Sequence, residues 1–546
     1  MDDVSDITAL GITNFRSGQV KFGIKKNDRK YHMYVIGKSG TGKSTFIENM
    51  CFSDISKKHG LAIIDPHGEL ADKIVNYIPK ERINDVVYFN PSDIEFPIAF
   101  NIIEEVPNEL KHIVASGLMG VFKKIWPDVW SPRMEYILIN TILALLEYPG
   151  ATLLSANRML SDDNYRKEVI SKITDPTVKS FWINEFEKYD PKFRREAIAP
   201  IQNKVGQFIS NPLVRNIIGQ KESNIDARKI MDEGKILIVN LSKGLIGEEN
   251  TTLLGALMVT KIQLAAMSRA DMSLESRTPF YLYIDEFQTF STESFANILS
   301  EARKYNLNLI ITHQYIKQLG DKVRDSVFGN VGTIVSFRIG PDDASFMEKQ
   351  FTSEFSQNDL VNLPNYTFYI KYLIDGMPSN AFSAIGLGPL PPFEVSYKNE
   401  IIEHTRALYA HNREEVETNI KKWSALEFVS SRTVSQMQPK TEYWEVVCSK
   451  CQKPALVPFK PDPAKAVYCN ECFEIIKNKK REALNGEQTL NEVPVTNQFS
   501  NTKTSECETP PADKTADLAM EQKRKEIKEK IDNSGLADTL KNIFKN

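Results

Sequence analysis

No stretch of this chain reads as a membrane crossing. The run YILINTILALLEY (136–148) falls short of the ~20 residues a bilayer requires. The longer LLGALMVTKIQLAAM is interrupted by Lys261, which marks it as a core helix. The N-terminal MDDVSDITAL lacks a basic region followed by an apolar one, so no signal peptide is expected. Cysteine is scarce too. Of six, four fall in one tight pattern, and Cys51 and Cys507 stand alone, so no disulfide framework is evident. Charge of one sign is also missing. A net charge of -3 gives no global attraction to nucleic acid, so any such binding needs a local basic surface or one created by assembly. These absences point to a cytoplasmic location. At 546 residues, 41% hydrophobic and 25% charged, the chain has material for two to four domains and a large core.

What is present is α/β. YHMYVIG (31–37), LAIID (61–65) and VVYFN (86–90) are short apolar runs with β-branched residues, separated by helical stretches, which predicts a mostly parallel sheet. From 107 to 220 the periodicity is helical throughout, as in NELKHIVASGLMGVFKKI and EAIAPIQNKVGQFI, which predicts an all-helical insert. Strand character returns at KILIVNL, FYLYIDE, LNLIITHQ, GTIVSFRIG and NYTFYIKYLIDG. The expected organisation is thus a split α/β domain (1–106 and 221–390) around the insert. A linker and helix (391–440), a small cysteine module (441–477) and a mostly disordered tail (478–546) follow. The tail ends with Leu536, Leu540, Ile543 and Phe544 on one helical face, read either as a frayed helix or as a docking helix for a partner.

GKSGTGKST (37–45) follows a strand and opens a helix, the context that confirms G-x-x-x-x-G-K-[ST]. Gly37, Lys38, Ser39, Gly40, Thr41, Gly42, Lys43, Ser44 and Thr45 then cradle the phosphates of a nucleoside triphosphate. Lys43 meets the β/γ-phosphates, Ser44 ligates Mg²⁺ and Thr45 lies near the α-phosphate. In FYLYIDEFQTF, Asp285 and Glu286 emerge at a strand's carboxyl end, where ligands of open α/β sheets bind. Asp285 is suited to Mg²⁺ and Glu286 to polarising the attacking water, which argues for hydrolysis. If LNLIITHQ is the neighbouring strand, Gln314 shares that edge, where it either senses the γ-phosphate or caps a turn. Arg303 precedes that strand. It lies at the wrong end for its own subunit's phosphates, and is either an arginine offered in trans or a surface residue.

Together VIGKSGTGKST, LAIIDPHGEL, FNPSD…AFNII, ISNPLVRNIIGQ, FYLYIDEFQTF and EARKYNLNLIITHQY resemble the type IV secretion coupling proteins, conjugative DNA-transfer ATPases of the FtsK–HerA superfamily. The resemblance covers about residues 15–390. It implies a RecA-like motor domain carrying an all-helical domain, and a homo-hexameric ring that pumps DNA, or protein attached to DNA, with ATP. By motif, Lys43 and Ser44 take the Walker A roles, Asp285 and Glu286 the Walker B roles, Gln314 the sensor and Arg303 the trans arginine finger. Asp65 and Glu69 match a further family motif near the nucleotide, though a turn and helix cap explains them nearly as well. Coupling proteins usually begin with transmembrane helices, which are not seen here. Either a separate membrane partner supplies the anchor, or the motor works in the cytoplasm as HerA-like translocases do. A secretion-assembly ATPase that never touches DNA and a nucleotide-switched scaffold stay open as alternatives. Pore loops are not identifiable, and Arg194 and Arg195 in the insert read better as a solvated face than as DNA contacts.

Cys448 and Cys451, then Cys469 and Cys472 after 17 intervening residues, have the spacing of a tetrahedral structural Zn²⁺ site. Tyr468 and Phe473 are the expected minimal core, and the module should not fold without metal. Lys450, Lys453, Lys460, Lys465 and the following KNKKR (477–481) give this zinc ribbon a basic cast. DNA binding, protein docking and a spacer role are the open readings.

Overall fold

The computed structural model describes residues 6–14, 18–104, 106–351, 354–391, 393–435, 444–457, 459–462 and 464–476. The terminal helix, KNKKR and Cys507 lie outside these residues. The chain forms two compact units, divided after Val434.

The first unit is built on an eleven-stranded sheet. Its strands are β1 (Ile7–Thr13), β2 (Lys21–Lys25), β3 (Met33–Ile36), β4 (Gly60–Asp65), β5 (Val86–Phe89), β6 (Ile236–Asn240), β7 (Phe280–Ile284), β8 (Leu307–His313), β9 (Thr333–Ser336), β10 (Thr367–Lys371) and β13 (Phe382–Gly386), with the small hairpin β11 (Leu373–Ile374) and β12 (Met377–Pro378) beside it. The order is β2-β1-β13-β10-β9-β3-β8-β7-β4-β6-β5. From β9 to β5 every pairing is parallel. The parallel strands are buried on both faces, which is why they read as unbroken apolar runs. Alternate residues feed two cores. Met33, Val35, Leu61, Ile63 and Tyr283 face one side, under the helices Lys43–Ser56 and Glu69–Asn76. Tyr34, Ile36, Ile64, Leu282 and Ile284 face the other, continuous with the helices between Asn108 and Ile218.

The antiparallel edge of β2, β1, β13 and β10 goes beyond the expected parallel sheet. The expected strands at 332–340 and 365–376 are shorter than their sequence runs: the first ends at Ser336, beyond which Arg338 O accepts Lys38 N–H of the phosphate loop, and the second ends at Lys371, beyond which the chain breaks into the β11–β12 hairpin. At the far edge, the helix Lys398–Tyr409 covers β5, and Thr405 Oγ1 accepts a hydrogen bond from Tyr88 N–H at 3.2 Å. The helix Arg413–Ser435 then lays Val416 and Ile420 against the helical layer.

The helix Glu248–Ser268 runs through the core. Among the described residues, only the segment Glu248–Asp271 is long and apolar enough to cross a membrane, and 83% of its apolar window is buried inside the protein. Gly255 permits that burial, since a Cβ there would stand 2.1 Å from the Phe290 ring. Lys261 pairs with Glu104, and burial lowers its pKa to about 8.

At the end of the sheet remote from the phosphate loop, Arg29 clamps the helix Lys43–Ser56. Its guanidinium donates to both oxygens of Asp54 (2.6 and 2.8 Å) and to the Tyr283 hydroxyl (2.9 Å), and lies over the Tyr281 ring. Burial works against the Asp54 charge, but Arg29 and these hydrogen bonds outweigh it and lower the carboxyl pKa to about 2.

The second unit contains a hairpin, β14 (Trp444–Val447) and β15 (Pro454–Val457), followed by a helix at 470–476.

Candidate functional site

Parallel register assembles the site. Ile36 of β3 pairs with His313 of β8, Ile284 of β7 with Ile311 of β8, and Ile64 of β4 with Ile284. Gly37, Asp65, Asp285, Glu286 and Gln314 therefore leave the sheet at one carboxyl edge. Ser39, Gly40, Gly42, Lys43, Ser44 and Thr45 line a cavity of about 450 Å³ with Asp65, Glu69, Asp285, Glu286 and Gln314. A larger hollow of about 620 Å³, beside Trp423, Ile420 and Lys221, holds neither a phosphate loop nor paired strand-end acids.

The loop is pinned at its start by Gly37 N–H donating to His313 O (3.2 Å) and Lys38 N–H to Arg338 O (2.9 Å). Gly42 has φ +116°, and a Cβ there would press on Phe337 and Tyr366 at 3.2 Å, so glycine is required. Lys43 Nζ donates to Gly37 O (2.5 Å) and Lys38 O (3.2 Å). Burial lowers its pKa, while Glu286 and Asp285 pull it back up.

The acids are held differently from each other. Asp285 accepts a hydrogen bond from Thr312 Oγ1, and the same hydroxyl accepts Glu286 N–H at 3.2 Å. Burial raises the Asp285 pKa to about 6, with Asp65 and Glu286 adding to the shift. A divalent cation would reverse that penalty, which suits Asp285 and Ser44 as its ligands. Glu286 has φ +45°, an uncommon backbone state for a residue other than glycine. Its Oε1 accepts from Gln314 Nε2 (2.5 Å) and its Oε2 from Gln288 Nε2 (2.6 Å), so two amides fix the carboxylate over the cavity. His313 is buried beside Tyr34, whose hydroxyl lies 3.1 Å from its Nδ1, and burial lowers its pKa to about 3, so it stays neutral.

Asp65 is committed to local structure. Its oxygens accept the N–H groups of His67 (2.8 Å) and Ala71 (2.9 Å), the turn and first turn of the helix Glu69–Asn76. Glu69 is exposed on the cavity rim. Arg303 lies outside the cavity, in the turn before β8. It is exposed, stacks over the Tyr31 ring at 3.8 Å and donates to the Tyr31 hydroxyl at 2.7 Å. The length of β8 alone separates it from Gln314 by about 20 Å. Arg194 donates to Phe186 O (3.2 Å) and Glu187 O (2.8 Å), whereas Arg195 is exposed. Thr312, Gln288 and Tyr366 were not signalled by any motif. Register with Asp285 was the clue available for Thr312, since a threonine inside a strand otherwise reads as β-propensity.

In the second unit, Cys448, Cys451, Cys469 and Cys472 bring their sulfurs within 4.8 Å of one another. Cys451 and Cys469 are 3.7 Å apart, close to the ~3.8 Å expected for thiolates 2.3 Å from one tetrahedral zinc. The donor set fits structural Zn²⁺. Cys448 N–H donates to Lys453 O (2.9 Å) to close the first knuckle, and the second pair opens the helix at 470–476. Phe473 is not the expected core residue: it is 54% exposed, and the buried centre is Cys448, Val457 and Cys472. A module this small is organised by metal more than by side-chain burial. Lys450, Lys453, Lys460 and Lys465 are exposed. A Cys451→Ser variant is expected to lose stoichiometric zinc in a chromogenic release assay and to become protease-sensitive over 444–476; retained zinc would assign the metal to other ligands.

Fold and site define a P-loop nucleotide-binding domain and, in the second unit, a four-cysteine module that fits zinc. Residues 11–262 match the family described as "Helicase HerA, central domain", and residues 441–477 match "Probable treble clef zinc finger". Among solved structures, the bacterial conjugative coupling protein TrwBΔN70, unbound, aligns with a TM-score of 0.52 at 14% identity, over 73% of this chain and 91% of that one. TrwB in complex with ADP and Mg²⁺ gives 0.51 at 14% identity, over 69% and 90%. TrwB with the GTP analogue GDPNP gives 0.52 at 15% identity, over 72% and 93%. The likeness at these identities is one of fold. No curated protein sequence matches the chain.

Proposed function

We propose that this chain is an ATP-hydrolysing motor that moves DNA as a hexameric ring, acting as the coupling ATPase of a conjugation-like type IV secretion process. The observation that carries the reading is Glu286, gripped by Gln314 and Gln288 above the phosphate loop. Such a carboxylate is aimed at a water, and a passive nucleotide site has no need of one. The coupling-protein fold and the TrwB complexes with ADP–Mg²⁺ and GDPNP support the ligand class.

In this mechanism Lys43 and the loop N–H groups bind the β/γ-phosphates. Ser44 and Asp285 would hold Mg²⁺, which neutralises charge on those oxygens when bound. Glu286 accepts the proton of the attacking water, and Gln314 links that carboxylate to the γ-phosphate position. Arg303 serves the neighbouring subunit's site. The zinc module and its exposed lysines are a candidate grip on DNA or on a protein partner.

The test is steady-state ATP hydrolysis by the full chain with and without single- and double-stranded DNA. Severalfold stimulation is expected. A rate indifferent to both removes the DNA-pump reading and leaves a secretion-assembly ATPase or a nucleotide-switched scaffold. The HerA match favours one second reading, a DNA-processing translocase with no membrane partner. Stimulation that needs no membrane protein would support it.

A further inference from the structure

We infer that Tyr366 is the platform on which the base of the bound nucleotide stacks. The inference rests on the ATP reading and deepens it, because the phosphate loop and acids account for one end of the nucleotide only.

The topology places Tyr366 at the other end. Asp285 and Gln314 follow β7 and β8, on one side of β3 and its loop. Beyond β3 on the opposite side come β9 and then β10, which is antiparallel, so the residue entering β10 stands at the same carboxyl edge. That residue is Tyr366. From β7 to β10 is four strand spacings, about 19 Å, with the phosphate loop between. A triphosphate whose γ-end lies between the acids extends its base towards this flank.

Tyr366 is also built to stay there. Its N–H donates to Thr41 O of the loop (2.9 Å), and its carbonyl accepts Gly386 N–H (2.7 Å). Its ring lies against Gly42, lines the cavity and is 59% exposed. Its φ is +63°, a conformation that glycine adopts freely and a bulky aromatic adopts at a cost. An exposed aromatic in a strained backbone, fastened to a phosphate loop, has no packing explanation. Aromatic stacking on a heterocycle supplies one. Asn49 completes the flank, its amide tying Thr45 O (2.9 Å) to Gly388 O (3.0 Å).

The experiment compares calorimetric binding of ATP and of inorganic tripolyphosphate, both with Mg²⁺, to the full chain. Tyr366→Ala is expected to weaken ATP by about tenfold or more while leaving tripolyphosphate within about twofold, and Tyr366→Phe to retain ATP. Tyr366→Gly should lose ATP equally yet melt no lower than the parent, because it relieves the positive φ. Equal weakening of both ligands, or of neither, in Tyr366→Ala overturns the inference while leaving the phosphate site standing. Lys43→Ala should lose both ligands; if it still binds tripolyphosphate, the phosphate-site reading fails and takes this one with it.

Discussion

Glu286→Gln is expected to lower the kcat of ATP hydrolysis by about 10²–10⁴ while leaving ATP affinity nearly unchanged, the range seen when a general base is removed. The substitution keeps the side-chain volume, and the carboxamide oxygen can still accept one of the two amide donors, so the cavity should hold its shape. In the proposed mechanism it removes the proton acceptor. Binding in that mechanism depends on Lys43, Ser44 and the loop N–H groups, none of which hydrogen-bonds Glu286, so the variant should accumulate as an ATP-bound species. Rapid quench and equilibrium binding separate the two effects. A kcat within about threefold of the parent would mean that another group activates the water, and the reason for the strained Glu286 backbone would then have to be sought elsewhere.

The segments that the structure brings together at this site were legible because each is local. The loop, the two acids and the cysteine pairs are short segments whose spacing carries the chemistry, and the helices from Asn108 to Ile218 repeat their apolar residues within a few turns. Features that depend on distant parts of the chain were illegible. β1 pairs with β13, some 370 residues away, and neither has the apolar run of a central strand. Edge strands such as KFGIK carry lysine and glycine, and their identity comes from their neighbours. Thr312 looks like any strand threonine until register sets it beside Asp285. Tyr366 sits in NYTFYIKY, which reads as continuous strand, yet its own backbone is left-handed. The finger's cysteines were visible but its core was not, because metal replaces the side chains that periodicity would reveal.

Arg303→Ala is expected to reduce hydrolysis by about 10³ or more without changing ATP affinity, the scale on which an arginine supplied to a phosphoryl-transfer site acts. The geometry makes the origin of that effect testable. Arg303 stands at the amino edge of β8 and the phosphate loop at the carboxyl edge of the same sheet, about 20 Å apart, so no side-chain rotation within one subunit joins them. Tyr31 fixes the guanidinium by stacking and by its hydroxyl, which lowers the entropy cost of presenting it to a neighbour. A head-to-tail ring brings the two edges of adjacent subunits together at every interface. Lys43→Ala and Arg303→Ala are each inactive alone but complementary. An interface with the loop of the second and the arginine of the first is intact. Mixed in equal amounts, with subunits assorting at random and interfaces independent, they should recover about a quarter of the parental rate. Recovery should rise with total protein concentration, because on this proposal the active site is completed only in the assembly. No recovery at any ratio, with hydrolysis by the parent insensitive to concentration well below ring formation, would place Arg303 outside catalysis. The Tyr31 stack would then be a surface contact within one subunit, and the missing positive charge at the γ-phosphate would have to come from another residue.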